Sequence, residues 1–309
     1  MGDSARVTDA PDRAATGARP VVGPRREPLD EPGLDAPATA GDGADLERRF
    51  GALRRLYGEA GYMRLRALRV AVVGIGGVGS WSAEALARSG VAGLVLIDLD
   101  HVAESNVNRQ IHALDATLGQ AKVQAMRERI AQIHPGCRVH AVEAFVETAD
   151  WAALLPEPVD AVIDACDQVH AKAHIAAWSL REGVPLVAVG AAGGKRLAQA
   201  VEVADLAETT HDPLLAALRQ RLRQRHGAPR KGAIGVRCVF SREPVRRPEG
   251  ACDVEASLNC HGYGSSVAVT ASFGLAAAGE AIERLLASRA GVTPMHVADA
   301  ITAPHADAA

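Results

Sequence analysis

The chain has 309 residues, 48% of them hydrophobic and only 3% aromatic, and it carries a formal net charge of −3. This composition supports one large core built from alanine, valine and leucine. The charge excludes a general attraction to nucleic acid, so contact with RNA requires a local basic surface. No two of the five cysteines form a CxxC pair, which argues against a structural zinc site, and we expect reduced thiols.

The first 44 residues are predicted to be a disordered tail. They contain six prolines, six glycines and no aromatic residue, so they cannot bury enough apolar surface to offset the entropy lost on ordering. They also lack the continuous apolar stretch of a signal peptide. We expect an ordered domain at residues 45–287 and a C-terminal tail at residues 288–309.

No transmembrane span is predicted. Residues 267–278 are apolar, but Glu280 and Glu283 interrupt the stretch well before the ~20 residues that a membrane-spanning helix needs. We interpret this stretch as a buried or interface helix, and we expect a cytoplasmic protein.

The first half of the predicted domain alternates between strands and helices. An apolar run at residues 68–73 leads into the glycine-rich turn GIGGVG at residues 74–79, and residues 80–89 show helical spacing of apolar side chains. The elements expected next are a strand at 94–97, a helix at 121–133, strands at 139–146 and 159–165, a helix at 170–182 and a strand at 185–189. This alternation predicts a doubly wound, mostly parallel α/β sheet of the Rossmann type.

Residues 205–250 are polar and basic, and they show no clear periodicity. A segment of this length inside a compact domain is usually functional or disordered, so we predict a long substrate-facing excursion. Its positive charges belong either to a solvated helix face or to a track for nucleic-acid phosphates. The residues assigned to such a track are Arg219, Arg221, Arg223 and Lys231.

The most informative stretch is residues 70–122. A GxGxxG turn alone is a weak signal, because it fits the pyrophosphate of any nucleotide at a helix N-terminus. Here the turn is followed by DLD at residues 98–100, SNVNRQ at residues 105–110 and a lone Lys122. A hydride-transfer domain needs only one acidic residue, for the ribose hydroxyls. The additional groups predict a site for ATP phosphates and a metal ion.

Each side chain has an expected part in this ATP site. Backbone N–H groups of the glycine turn cradle the phosphates, and Arg109 and Lys122 neutralise their charge. Asp98 takes the ribose hydroxyls, Asn106 binds sugar or phosphate oxygens, and Asp167 holds Mg²⁺. The nucleotide-binding candidates from this stretch are Gly74, Gly76, Gly77, Gly79, Asp98, Asp100, Asn106, Arg109 and Lys122.

A structural explanation is open for each of these residues by itself. Arg109 and Lys122 are then members of surface ion pairs, Asn106 caps a turn, and Asp167 caps the following helix. Their joint occurrence after a glycine turn, on the ligand-binding edge of one sheet, favours the functional interpretation.

These motifs resemble those of the activating enzymes of ubiquitin-like proteins and of their bacterial relatives that adenylate sulfur-carrier proteins. The matching segments are GIGGVG, DxDxVxxSNxNRQ, GQAK at 119–122 and DACD at 164–167. Within this superfamily, further segments resemble the tRNA threonylcarbamoyladenosine dehydratase branch: RFGALRRLYG at 49–58, NRQIHAL at 108–114, GAAGG at 190–194, DPL at 212–214 and CVFS at 238–241. The resemblance spans about residues 46–285.

The resemblance implies an ATP-dependent tRNA-modifying enzyme with an E1-like ATP-binding catalytic domain at residues 45–287. Such an enzyme activates the threonyl carboxylate of the modified adenosine next to the tRNA anticodon, and water is lost as the side chain cyclises. The resemblance assigns phosphate contacts to Arg109 and Lys122, the ribose to Asp98 and the metal to Asp167. By analogy it also implies sulfur-transfer proteins as further partners.

One residue implied by the resemblance acts across a subunit boundary. Arg55 would reach the nucleotide of a partner subunit in a homodimer. Arg49 and Arg54 are nearby competitors for this role, and an arginine on a helix surface is the structural alternative. Both interpretations of Arg55 stay open at this point.

Three other activities compete with this one. The nearest is an adenylating enzyme for a sulfur-carrier protein with a Gly-Gly tail, against which the absence of CxxC pairs weighs. An NAD-dependent dehydrogenase is favoured only by the glycine turn and Asp98, and it leaves Asn106, Arg109 and Lys122 unexplained. A non-catalytic nucleotide-binding adaptor would need neither Arg109 nor Lys122.

Two further candidate sites are disfavoured. Cys238 lies in a predicted strand at residues 236–240, where the only charged neighbour, Arg237, would point to the opposite face. We therefore expect a buried structural thiol and not a thiolate nucleophile. His170 and His174 share one helix face, but the sequence offers them no third metal ligand.

Overall fold

The structure is a computed structural model that describes residues 45–147, 151–246 and 263–287. Its strands are β1 Arg69–Val73, β2 Gly93–Ile97, β3 Arg138–Val142, β4 Ala161–Asp164, β5 Leu186–Val189, β6 Val201–Asp205 and β7 Arg237–Ser241. Its helices are α1 Leu46–Leu65, α2 Gly79–Arg88, α3 Lys122–Ile133, α4 Val169–Glu182, α5 Pro213–Arg225 and α6 Val267–Ala287. The predicted tails at 1–44 and 288–309 lie outside the described residues, so the predicted domain boundaries stay predictions.

The strands form one sheet with the order β3-β2-β1-β4-β5-β7-β6. Neighbouring strands are parallel except for β6, which runs antiparallel to β7. The prediction of a doubly wound, mostly parallel α/β sheet is confirmed. Within the described residues, no helix is both long enough and apolar enough to cross a membrane.

Each strand contributes to two cores, one on each face of the sheet. Val70 and Val72 of β1 pack with α2, α3 and α6, whereas Ala71 and Val73 pack with α4 and α5. This division follows from the strand geometry, in which successive side chains point to opposite faces. Full burial of a valine or leucine side chain stabilises the fold by about 1.5–3 kcal/mol.

The segment after residue 205 differs from the predicted excursion. Its described part, residues 205–246, contains α5, which packs against α4, and β7, which lies between β5 and β6. α5 buries Leu214, Leu215, Leu218 and Leu222. The helical spacing of these leucines was overlooked because arginines and glutamines dominate the second half of the helix, around Leu222. The strand predicted at 139–146 is also shorter, since β3 ends at Val142.

The topology creates a crevice at the carboxyl ends of β1 and β4. From β1 the chain continues to β2 and β3 on one side, and β4 continues to β5 on the other side. The strand order therefore reverses between β1 and β4. Open α/β sheets bind their ligands at such a switch point.

Candidate functional site

A cleft of about 210 Å³ lies at this switch point. The glycine turn, the loop after β3, the turn after β4 and residues 190–192 contribute to its walls. The predicted site residues that line it are Gly74, Gly76, Gly77, Asp98, Asp100, Arg109, Lys122 and Asp167. Gly79, Asn106 and Arg55 do not line the cleft.

The glycines of the turn serve two different purposes. Gly74 has a φ of +84°, and a Cβ there would lie 2.9 Å from the backbone nitrogen of Cys166. A Cβ at Gly79 would collide with the carbonyl oxygen of Gly74. These two positions need glycine for folding. A Cβ at Gly76 would meet no atom within 4 Å, so this position leaves space for a ligand.

The turn also presents unused hydrogen-bond donors. Among the described residues, the N–H groups of Gly76, Gly77, Val78 and Gly79 have no hydrogen-bond acceptor. α2 begins here without an acidic residue in its first turn and without a side-chain cap. Free N–H groups at the positive end of a helix dipole form a binding site for anions such as phosphate.

Asp98 is held beside the turn by two backbone donors. Its Oδ2 accepts a hydrogen bond from the Ile75 N–H at 2.6 Å, and its Oδ1 accepts one from the Asp100 N–H at 2.8 Å. Burial raises the pKa of the Asp98 carboxyl above its ordinary value, while Lys122 and these two N–H groups oppose the rise. Because Ile75 belongs to the glycine turn, the predicted ribose ligand and the phosphate cradle form one unit.

Lys122 is a buried cation in the cleft wall. Its Nζ lies 2.7 Å from Asp100 Oδ2, and 7% of its side chain is exposed. It occupies the first position of α3. The structural alternative of a surface ion pair does not describe such a buried lysine, because surface pairs join two solvent-exposed side chains.

Arg109 is fixed above the glycine turn by its own loop. Its Nη1 donates to the carbonyl oxygen of Ser105 at 2.8 Å and to Asn108 Oδ1 at 2.9 Å. Trp81 Nε1 donates to the carbonyl oxygen of Arg109 at 3.0 Å. A Cβ at Gly77 would lie 3.3 Å from the Arg109 side chain. The guanidinium is thus held close to the phosphate cradle.

Asp167 supplies a carboxylate that the protein itself does not use. It is exposed, it lines the cleft, and among the described residues it makes neither a hydrogen bond nor an ion pair. It does not cap α4, whose N-cap residue is Gln168. Mg²⁺ is commonly bound through one or two carboxylates together with substrate phosphates, so Asp167 fits this ion.

A buried ion pair supports the turn that carries Asp167. Lys172 Nζ lies 3.2 Å from Asp164 Oδ1 and donates to the Asp164 carbonyl oxygen at 2.9 Å, with both side chains fully buried. Desolvation opposes the charge of Lys172, but the Asp164 carboxylate raises the pKa of the lysine above its ordinary value. Sequence reasoning missed this pair, since a lysine on a helix is usually exposed.

Two further residues of the cleft were missed as site residues. Gln110 is buried, and its Oε1 has no hydrogen-bond partner within the described ranges. Phe145, in the loop after β3, is 44% exposed and forms an apolar wall. The sequence contained a signal for Gln110, because it is the last residue of the SNVNRQ motif. The only sequence signal for Phe145 was its rarity, because the chain has just four phenylalanines.

The structure does not bring Asn106 into the cleft. Its side chain is buried, and its Oδ1 accepts a hydrogen bond from the Ala103 N–H at 3.0 Å. The structural alternative of turn capping describes this geometry. The expected contact of Asn106 with sugar or phosphate oxygens therefore has no geometric support.

The structure separates Arg55 from its competitors on α1. Arg49 donates to the carbonyl oxygen of Ile133 at 2.6 Å, and Arg54 pairs with Glu47 at 2.8 Å. Arg55 is exposed and makes no hydrogen bond or ion pair with the described residues. Of these three arginines, Arg55 alone has no hydrogen-bond or ion-pair partner among the described residues.

The four basic residues predicted to contact RNA differ in whether they already donate hydrogen bonds within the chain. Arg219 donates to the carbonyl oxygen of Leu206 at 2.9 Å, and Arg223 donates to that of Pro229 at 3.1 Å. Within the described part of the chain, Arg221 and Lys231 make no hydrogen bond or ion pair. Only Arg221 and Lys231 of the four predicted RNA contacts keep their full donor capacity.

Cys238 is fully buried in β7, and burial raises the pKa of its thiol. The expected burial of this thiol is confirmed, and a thiolate is disfavoured in such surroundings.

A doubly wound sheet with unused N–H donors at a helix N-terminus, a carboxylate and two cations at its switch point is typical of a nucleotide-binding α/β protein. The family model described as "ThiF family" matches residues 49–303. The chain therefore belongs to the ThiF family, and the resemblance to the adenylating superfamily is confirmed.

Relatives similar to most of the chain are tRNA threonylcarbamoyladenosine dehydratases. That of Escherichia coli is 43% identical over 255 residues, covering 79% of this chain and 95% of the relative. That of Haemophilus influenzae is 38% identical over 247 residues, covering 78% of this chain and 95% of the relative. The crystal structure of the E. coli enzyme in complex with ATP matches with a TM-score of 0.73 and 43% identity, covering 80% of this chain and 98% of that one.

Proposed function

We propose that this protein is an ATP-dependent tRNA-modifying enzyme that dehydrates N6-threonylcarbamoyladenosine to its cyclic form. The observation that carries the proposal is the cleft, in which unused N–H donors, Arg109 and Lys122 surround the space next to Asp98. The similarity to the dehydratases over nearly their whole length supports the same substrate. A tRNA substrate also agrees with the expected cytoplasmic location.

The chemistry needs positioning and charge neutralisation. An oxygen of the threonyl carboxylate attacks a phosphorus atom of ATP, and pyrophosphate or ADP leaves. The neighbouring carbamoyl group then attacks the activated carbonyl carbon and loses a proton. The acyl–oxygen bond breaks, and the oxygen departs on AMP or on phosphate. Because this attack occurs within one molecule, a large part of its entropic cost is already met.

The residues of the cleft act on the charges of this reaction. The N–H groups of the glycine turn, Arg109 and Lys122 stabilise negative charge on the phosphates in both steps. Asp98 orients the nucleotide through its ribose. No protein nucleophile takes part, in agreement with the burial of Cys238.

We further propose Mg²⁺ as the metal cofactor, held by Asp167 together with the phosphates. When bound, the ion neutralises phosphate charge and helps to align the phosphorus atom that is attacked. The Asp164–Lys172 pair anchors the start of the turn that carries Asp167.

A homodimer is the proposed functional unit, with Arg55 reaching the nucleotide of the partner subunit. The support comes from α1, where Arg55 is free and where Leu56 and Met63 are 70% and 58% exposed. Large exposed apolar side chains close to a free cation are typical of an interface between subunits. Sulfur-transfer proteins as further partners stay a prediction.

ATP cleavage assayed with alternative substrates tests the proposed function against its nearest rival. We expect tRNA that carries threonylcarbamoyladenosine to stimulate ATP cleavage, whereas the same tRNA without the modification has no effect. A carrier protein with a Gly-Gly tail serves as the third substrate. Stimulation by the carrier alone would favour protein adenylation instead. Measurement of pyrophosphate and phosphate in the same reactions identifies which phosphorus atom is attacked.

A further inference from the structure

Three imidazoles and one guanidinium come together near the cleft. The Nε2 atoms of His170 and His174 on α4 lie 3.3 Å apart. The ring of His226, directly after α5, is centred 6.1 Å from that of His174. Arg221 of α5 is close enough to act on His174 electrostatically. We refer to these four residues as the His/Arg cluster.

The cluster starts at the rim of the cleft. Gln168, the N-cap residue of α4, lines the cleft. With a rise of 1.5 Å per residue, His170 lies about 3 Å and His174 about 9 Å farther along the helix axis. His170 and His226 are exposed, and His174 is partly exposed. The cluster is therefore a surface that leads away from the cleft mouth.

The electrostatics of the cluster favour an anion. Burial lowers the pKa of His174, and His170, His226 and Arg221 lower it further. Among the described residues, no carboxylate acts on His174. An anion bound beside the imidazoles and Arg221 would offset the effect of the guanidinium and favour the protonated form of His174.

A metal ion is the other ligand that paired imidazoles suggest. The 3.3 Å separation fits two ligands of a tetrahedral zinc ion with Zn–N distances of about 2.0–2.1 Å. The described residues, however, contain no group of three metal-binding side chains. Arg221 also disfavours a cation at this place. The anion is therefore the better match.

We propose that the His/Arg cluster binds phosphates of the tRNA strand that flank the adenosine in the cleft. This inference rests on the proposed function. A modified adenosine within a strand enters the pocket alone, and the neighbouring nucleotides stay outside. Their phosphates then lie at the rim, where guanidinium and imidazolium groups donate charge-assisted hydrogen bonds to phosphate oxygens.

The test compares tRNA binding by three variants. Arg221→Gln removes the guanidinium of the cluster. A triple variant, His170→Gln/His174→Gln/His226→Gln, removes its three imidazoles. Arg181→Gln is the matched control, because Arg181 lies at the far end of α4 with 66% of its side chain exposed. Dissociation constants for tRNA are measured over a range of salt concentrations.

The expected results differ between the variants. Arg221→Gln weakens binding and reduces the slope of log K against log salt by about 0.7–0.9, the value for one lost phosphate contact. The triple variant also binds tRNA more weakly than the wild type, because the imidazoles that donate to phosphate oxygens are missing. Arg181→Gln behaves like the wild type. ATP affinity is unchanged in every variant, which shows that the cleft is intact.

Three outcomes would overturn the proposal. If the wild type binds and converts modified tRNA while all variants bind like the control, the cluster has no part in binding and the proposed function stands. If the wild type binds ATP but neither binds nor converts modified tRNA, both proposals fail. If one equivalent of Zn²⁺ binds the wild type but not His170→Gln/His174→Gln, and tRNA affinity is unaffected, the cluster is a metal site.

Discussion

At the scale of single residues, substitutions at Lys122 and Asp100 distinguish a catalytic role of the lysine from a role in neutralising the aspartate. If Lys122 only neutralised Asp100, removal of both charges would be harmless. We expect both Lys122→Met and Lys122→Met/Asp100→Asn to lose turnover by about 10²-fold or more, because a fixed cation at the phosphates is missing. Arg242→Gln, which opens an exposed pair with Glu202, is the control for steady-state kinetics. Recovery of activity in the double variant would contradict the assigned role.

The glycine turn allows a comparison of two alanine substitutions. A Cβ at Gly76 meets open space, so Gly76→Ala should fold normally and clash only with bound phosphate. Overpacking of this kind costs about 1–3 kcal/mol, which corresponds to about 5- to 150-fold weaker ATP binding. Gly79→Ala should instead lower the unfolding temperature, because its Cβ collides with the Gly74 carbonyl. Calorimetric titration measures the ATP affinity of Gly76→Ala, and thermal unfolding measures the stability of Gly79→Ala. Normal ATP affinity of Gly76→Ala would show that the phosphates do not lie at this position.

At the scale of elements, the segment between β2 and α3 contains a buried histidine with a clear pH signature. His112 is 1% exposed, and neither ring nitrogen has a hydrogen-bond partner in the described ranges. Burial, followed by Lys122 and Arg129, lowers the pKa of His112 to about 4. The unfolded chain, with a histidine pKa of about 6.5, then binds more protons between the two values.

The free energy of unfolding should therefore fall as the pH decreases from about 6.5 to about 4, by up to about 3 kcal/mol from His112. His112→Phe keeps a ring in the site but does not titrate. The free energy of unfolding of this variant should therefore decrease less over this pH range. Denaturant unfolding at several pH values measures the difference. His101→Gln, at an exposed position of the same segment, is the control. Equal decreases in the wild type and His112→Phe would show that His112 is charged in the folded state.

Sequence patterns predicted the elements whose signal is local. β1, β2, β4 and β5 are short apolar runs bounded by turns, and the glycine turn marks the first crossover. The strand predicted at residues 236–240 is confirmed by β7. β6 and its antiparallel pairing with β7 were not recognised, because the pairing of short strands is a long-range property. α5 was missed because arginines and glutamines dominate its second half, around the buried Leu222.

The candidate site shows the same division between local and long-range information. Motif spacing was sufficient to place Arg109, Lys122 and Asp167 at the cleft, since each lies in the connection that leaves the carboxyl end of a strand. The Asp164–Lys172 pair depends on tertiary burial, which no local pattern reveals. Side-chain contacts also decided which arginines are free, since Arg219 and Arg223 turn toward backbone carbonyls.

At the scale of the whole molecule, the proposed homodimer makes each site depend on both subunits. Arg55→Ala and Lys122→Met should each be inactive alone. In a mixed dimer, the site with an intact Lys122 receives Arg55 from the other subunit. Random mixing should therefore restore about a quarter of the wild-type activity, because half of the dimers are mixed and each has one complete site. Coexpression followed by activity assays measures this, and a mixture without activity would exclude the contribution of Arg55 across the interface.

The proposed reaction activates the threonyl carboxylate of the modified adenosine in the cleft. The most direct test is mass spectrometry of nucleosides from threonylcarbamoyl-modified tRNA after incubation with the protein, ATP and Mg²⁺, under mild conditions that preserve a labile ring. We predict a nucleoside lighter by one water, formed only when ATP is present. An unchanged nucleoside, from a protein that still binds ATP, would contradict the proposed function.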